Sequence, residues 1–190
     1  MRSTLLALAS AALFALPAHA VTLESATLAG NALDTSFSTS SLISLDLSIW
    51  NHDVLSFDFA VDADDIAAGS VSFNSIVRDV SGLGFGSLSI MLNKGDLTIP
   101  TDSLRAATVE GDLLTSDYFS GAMVTEFYIG NPFIEDGVSD WTIGFSGMNA
   151  GDTFRLNIGV TPAVPEPADW AMLLAGLGMI VLSAARRIGR

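Results

Sequence analysis

From Leu42 to Val160 apolar and polar residues alternate in short runs. In the stretch Leu42–Trp50, Leu45, Leu47 and Ile49 fall in one phase and Asp46 and Ser48 in the other. Leu55, Phe57, Phe59 and Val61 repeat the pattern against Ser56 and Asp58, and it recurs in Ser70–Val77, Phe85–Leu92, Ala122–Ile129, Asp140–Ser146 and Thr153–Val160. Successive side chains of a strand point to opposite faces, so this alternation predicts strands with one face on a core and one in water. Turn formers separate the runs: Ser81-Gly82, Lys94-Gly95-Asp96, Gly130-Asn131-Pro132, Asp136-Gly137 and Ala150-Gly151-Asp152. Seven or more short strands at this spacing predict an all-β fold, an antiparallel β-sandwich or jelly-roll-like domain. No period of 20–50 residues recurs, which argues against a solenoid. Asp62–Ala68 breaks the alternation and reads as a loop or one helical turn.

The period of two is absent at both ends of the chain. Residues 1–20 carry Arg2, then an apolar stretch from Leu5 to Leu16, then Ala18-His19-Ala20. A short apolar core ending in a small-x-small pattern reads as a secretory signal peptide cleaved after Ala20, and it is too short to span a bilayer. Near the other end, residues 168–185 form an apolar run interrupted only by Asp169 at its outer edge. A helix of that length spans ~27 Å, close to the ~30 Å hydrocarbon thickness. Trp170 stands where an indole prefers the interface, and Arg186, Arg187 and Arg190 follow the run. Positive charge stays on the cytoplasmic side, so the expected topology is a single membrane pass with the preceding domain outside. The chain thus divides into a signal peptide (1–20), an exported β-domain (21–161) and a C-terminal segment (162–190).

That last segment, "VPEPADWAMLLAGLGMIVLSAARR", resembles the PEP-CTERM sorting signal. The likeness runs through Pro165-Glu166-Pro167, the residues Ala171 to Gly178 and the Arg186-Arg187 pair. The resemblance implies a Gram-negative, exopolysaccharide-producing bacterium. It also implies recognition by an exosortase, a membrane-embedded cysteine protease or transpeptidase that removes the tail near the Pro-Glu-Pro motif. The physical chemistry is compatible, since two prolines favour an extended segment without amide donors. The plan of the chain also resembles the FxDxF subgroup of this family. Asp53 of "NHDVLSFDF" holds the motif's aspartate, whereas Asn51 and Leu55 stand where phenylalanines are expected; Gly151–Leu156 fits the subgroup's closing strand. No catalytic residue comes with either resemblance.

Charge narrows the functional classes. Within residues 21–161, nineteen carboxylates stand against four cations (Arg78, Lys94, Arg105, Arg155), a net of −15. Such a surface repels phosphate backbones, so nucleic acid is not an expected partner. There is no cysteine, hence no disulfide and no thiolate metal site. His52 is the one histidine beyond the signal peptide, and its neighbour Asp53 would point to the opposite strand face. The Asp62–Asp65 cluster offers oxygen ligands for calcium but lacks an EF-hand spacing, and reads equally as helix-capping aspartates. No two carboxylates are marked as a glycosidase pair. Trp50, Tyr118, Tyr128 and Trp141 could stack on sugar rings if they shared an outer face, although Trp141 leads an alternation that reads as core. Ser/Thr-rich Thr35–Ser41 is a candidate for O-linked sugar. The expectation is a non-enzymatic exported surface or matrix protein without cofactor, associated with exopolysaccharide. A carbohydrate-binding module is the alternative.

Overall fold

Each of the seven alternating stretches forms a strand. A computed structural model of the chain describes residues 21–115, 124–163, 172–177 and 179–180. In chain order its elements are β1 (Thr22–Thr27), β2 (Ala32–Asp34), β3 (Leu42–Ile49), β4 (Leu55–Ala60), α1 (Ala63–Ala68), β5 (Ser70–Asp79), β6 (Phe85–Leu92), β7 (Asp96–Thr98), β8 (Leu104–Thr108), β9 (Leu113–Thr115), β10 (Val124–Ile129), β11 (Trp141–Gly144) and β12 (Thr153–Pro162). The fold is all-β, with a single turn and a half of helix inside the domain. The five strands that alternation did not mark (β1, β2, β7, β8 and β9) are short or lie at sheet edges.

The strands join in one curled sheet. One half runs β1-β4-β12-β6; the other runs β2-β3-β5-β10-β8-β9, with β11 and then β7 flanking the first part of β5. Among the described residues a single bridge, Val124 to Phe85, links the halves. Inward side chains from both halves merge into one apolar cluster: Leu45, Leu47 and Ile49 from β3, Phe57 and Phe59 from β4, Phe73 and Val77 from β5, Phe127 from β10, and Phe154, Leu156 and Ile158 from β12. Phe59 stacks on Phe154 and Phe85 on Phe127, with ring centroids 5.2 and 5.4 Å apart. Each such ring, fully withdrawn from water, contributes on the order of 2–3 kcal/mol.

Pairing departs from the expected all-antiparallel scheme at one place. Strands β3 and β5 are parallel along their length, from Leu42 opposite Ser72 to Ile49 opposite Asp79. Parallel neighbours need a crossover. Here β4 crosses to the other half of the sheet, and α1 turns the chain back into the start of β5. The turn is built by sequence: Asp62 caps α1 by accepting from the Asp64 and Asp65 amides at 2.8 and 2.9 Å, and Asp65 accepts from the Asp62 amide at 2.9 Å. Gly69 ends the helix in the left-handed region at φ +80°, where a side chain would be strained. The Asp62–Ala68 stretch is therefore a capped helical turn.

The two ends of the domain differ in what meets there. Strands β3, β5, β8 and β12 finish at one end, where β4 and β6 begin. The chain leaves the domain at this exit end, and the Ala163 amide donates to Gly84 O at 3.1 Å. The opposite end carries residues 35–41, α1 and the 145–152 turn. Beyond the domain, residues 172–177 and 179–180 are helical, with Met172, Leu174 and Ile180 exposed. Among the described residues no helix is long and apolar enough to cross a membrane. The signal peptide with Ala18 and Ala20, the motif Pro165-Glu166-Pro167, Trp170, and Arg186, Arg187 and Arg190 lie outside the described residues, as does most of the expected 168–185 helix.

Candidate functional site

The register of the second half-sheet gathers the domain's polar chemistry on its outer face. Cross-strand partners run in a row from Asp34 to Asp46, Ile76, Tyr128 and Arg105. A neighbouring row joins Ser48, Arg78 and Glu126. Residues directly opposite across a sheet share a face. Arg78 Nε donates to Glu126 Oε1, and the Tyr128 hydroxyl donates to Glu126 Oε2. Burial works against the Glu126 charge, but the Tyr128 and Arg78 hydrogen bonds prevail and hold its carboxyl below the usual range. Burial, then the bond to Glu126, push the Tyr128 phenol up to about 12. A shallow hollow of about 230 Å³ opens between Asp34, Asp46, Ser48 and Arg78.

Loop 131–140 folds over the far side of this face. Asn131 organises it: its side-chain amide donates to Glu135 O and Val138 O, both at 2.9 Å, while its Oδ1 accepts from the Glu135 amide at 2.7 Å. Asp140 ties the loop to β5 through Asn74 Nδ2, at 3.1 Å. The loop thereby sets Phe133 edge-on against Tyr128, with centroids 5.1 Å apart, and brings Glu135 onto Arg105 Nη1. Arg105 is buried, and its Nε and Nη2 have no hydrogen-bond partner among the described residues.

Asp34 and Asp46 are the best-matched pair of carboxylates. The Ser36 amide lowers the Asp34 carboxyl, whereas burial raises that of Asp46, with Asp34 adding to the rise. Environments that separate two carboxyl pKa values can assign an acid and a base. Glycoside cleavage, however, places its two carboxylates on opposite sides of the scissile bond. These two project from one sheet face in direct register, so a sugar would lie over both. The pair does not form that geometry.

The remaining candidates scatter. The Asp53 amide donates to Asn51 Oδ1, and His52 lies edge-on to Phe85 with centroids 6.1 Å apart. The carboxylate that feels His52 is Asp79, already engaged by the Ser81 amide and hydroxyl and the Gly84 amide. Asp62 and Asp65 use their oxygens to cap α1. Trp141 is buried, and its Nε1 donates to Ser103 Oγ at 2.8 Å. Tyr128 faces outward, Trp50 lies exposed at the exit end, and Tyr118 falls outside the described residues. Among the described residues these aromatics form no row on one face. In the Thr35–Ser41 stretch, Ser38 Oγ is engaged with the backbone of Ser44 at 3.0 Å in both directions.

Reading the sequence alone missed the Asp34–Asp46–Arg78–Glu126–Tyr128 grouping and the covering of Arg105. The available signal was Arg105 itself, one of four cations in the domain and placed in a strand. No family model, no curated protein and no solved structure matches the chain.

Proposed function

We propose that the chain is an exported, non-enzymatic surface or matrix protein whose C-terminal segment is both address and temporary anchor. Residues 1–20 direct export across the inner membrane of a Gram-negative cell and are removed after Ala20. A sandwich-type β-domain then folds outside, held by the 168–185 helix, with Trp170 at its outer interface and Arg186, Arg187 and Arg190 stopping transfer. An exosortase reads Pro165-Glu166-Pro167 and releases the domain to the cell surface or an exopolysaccharide layer. The observation that carries this reading is the ordered succession of Pro-Glu-Pro, apolar run and arginines at residues 165–190. The fold is compatible with it, because among the described residues the last sheet contact is made by Ala163, and the motif begins two residues later.

The test is the double change Pro165→Ala with Glu166→Ala in the producing cell. Exosortase recognition predicts that full-length protein accumulates in the membrane; normal release into the medium overturns the reading. A carbohydrate-binding role is the second reading, favoured by the outward Tyr128–Phe133 pair beside Arg78 and Glu126. Ring stacking on a sugar needs such an exposed aromatic face. Retention on the host polysaccharide that is lost in Tyr128→Ala and Phe133→Ala would support it, and unaltered retention would remove it.

A further inference from the structure

The exit end of the domain exposes a set of apolar side chains. Trp50 and Val54 stand on the β3–β4 connection, Val80 and Leu83 on the β5–β6 connection, and Val109 and Leu113 at the β8–β9 turn. Val54, Leu83 and Val109 are 55, 54 and 61 % exposed, fractions unusual for aliphatic side chains on three adjoining loops. These loops are held together. The Val80 amide donates to Ile49 O at 2.9 Å, Gly84 O accepts from Ala163, and Phe85 bridges to Val124, which pairs with Thr108. Carboxylates stand at both ends: Asp62, Asp64, Asp65, Asp96 and Asp152 at the opposite end, and Asp53, Glu110 and Asp112, all exposed, beside the apolar side chains of the exit end. At the exit end Asp79 is turned into its own loop by Ser81 and Gly84.

Chain length brings this rim to a particular place. Ala163 is pinned to Gly84, and only residues 164–167 separate it from the apolar run that starts at residue 168. Five Cα steps reach at most ~18 Å. The headgroup layer on one side of a bilayer occupies ~5–8 Å of that distance. If residues 168–185 are in the membrane, Ala163 is held within ~10–13 Å of the headgroup surface. The face turned toward the lipid is then the face from which the tail emerges.

We infer that the rim formed by Trp50, Val54, Val80, Leu83, Val109 and Leu113 is a lipid-contacting surface that seats the domain end-on against the bilayer holding its own tail. This rests on the anchor reading above. Exposed aliphatic side chains beside an indole suit the headgroup–acyl boundary. The net charge of −15 in residues 21–161 directs the contact toward zwitterionic lipid.

The chain has no cysteine, so a single introduced thiol reports one position. Full-length protein is reconstituted in phosphatidylcholine vesicles whose acyl chains carry a spin-label quencher. An environment-sensitive fluorophore is placed at Leu83→Cys, Val109→Cys, Phe37→Cys or Gly176→Cys. Phe37, 63 % exposed at the opposite end, controls for apolar exposure alone. The expected result is strong quenching at Gly176, clear quenching with a blue shift at Leu83 and Val109, and none at Phe37. Adding anionic lipid should weaken the signal at the two rim positions. Quenching at Gly176 without quenching at the rim overturns the seating and leaves the anchor standing. No quenching at Gly176 overturns both. Rim labels shielded in native membranes but not in pure lipid would transfer the surface to a membrane protein and overturn the lipid assignment.

Discussion

The two faces of the β3–β5–β10 half-sheet are built on different principles. The inner face is apolar from Leu45 and Leu47 through Phe73 and Val77 to Phe127, except for buried Ser75, whose hydroxyl donates to Leu45 O. The outer face mixes charge, phenol and amide, and its central strand is covered there as well: Asn74 and Ile76 are buried beneath the outer-face side chains and loop 131–140. A face that fills a core needs only the right phase and volume. A face of paired polar groups needs a particular partner for each member, and those partners come from segments far apart in the chain. Arg78 finds Glu126 across 48 positions and Arg105 finds Glu135 across 30. The inner face should therefore fail through lost volume and the outer face through lost pairing.

The largest expected effect is at Phe73, fully buried where β5 passes Trp141. Phe73→Ala should cost ~3–5 kcal/mol in denaturant unfolding, through lost transfer energy and the cavity left behind. An effect near that of an exposed substitution such as Met91→Ala would contradict the assignment of the inner face. Next is Ser103→Ala, which strands the Trp141 indole N–H in a buried site. A loss of ~1–3 kcal/mol is expected, and Trp141→Phe in the same background should give less than an additive loss. Unfolding midpoints of the two single variants and the double variant measure it.

Arg105 tests the outer face in the other direction. One of its guanidinium nitrogens is paired with Glu135, and two are without a partner among the described residues. Replacing a buried, incompletely paired ion with an apolar chain of similar length is often neutral or stabilising. Arg105→Met should therefore change stability by no more than about 1 kcal/mol of loss, with Glu135→Ala costing more than Arg105→Met. The reverse ranking in equilibrium unfolding would mean that Arg105 is fully satisfied.

The smallest effect is a contrast in pH dependence between two aspartates. Burial raises the folded Asp46 carboxyl, so the folded state binds its proton more tightly than the unfolded chain, and stability from this group falls as pH rises through the unfolded and then the folded value. Asp46→Asn should flatten that decline and be slightly stabilising at neutral pH. Asp79 behaves oppositely: burial opposes its charge, but the Ser81 and Gly84 bonds depress the folded value. Its contribution is present above the unfolded value and is lost as pH falls through the folded one. Asp79→Asn should lower stability at neutral pH and converge with the parent in acid. Parallel unfolding curves from pH 3 to pH 7 for both variants would remove the contrast.

The inner face was legible because its signal is local. Leu55, Phe57 and Phe59 declare a strand from six consecutive residues, and all seven alternating runs became strands. Strands β2, β7 and β9 have three residues each, too short for a period to register. Strand β8 carries Ala106-Ala107, whose small side chains blur the alternation. The parallel β3–β5 pair was hidden because direction depends on the crossover through β4 and α1, and no residue of β3 reports it. The outer polar cluster was unreadable for the same reason: Asp34, Asp46, Arg78 and Glu126 become neighbours only through register.

Strand β4 has one further consequence, and it concerns time. Its edges pair with β1, the first strand to be made, and with β12, the last. Residues 55–60 cannot be enclosed until the chain through Pro162 is present, however early they emerge. Closing so long a loop is slow compared with local pairing, because its entropic cost comes before any contact compensates for it. A chain threaded outward from its N-terminus would keep this sheet open throughout its passage. The final strand would arrive at the moment residue 168 enters the pore. In a chain exported as proposed, completion of the fold and arrest of the tail would be nearly a single event, and translocation would set the interval in which proteases can reach an open sheet.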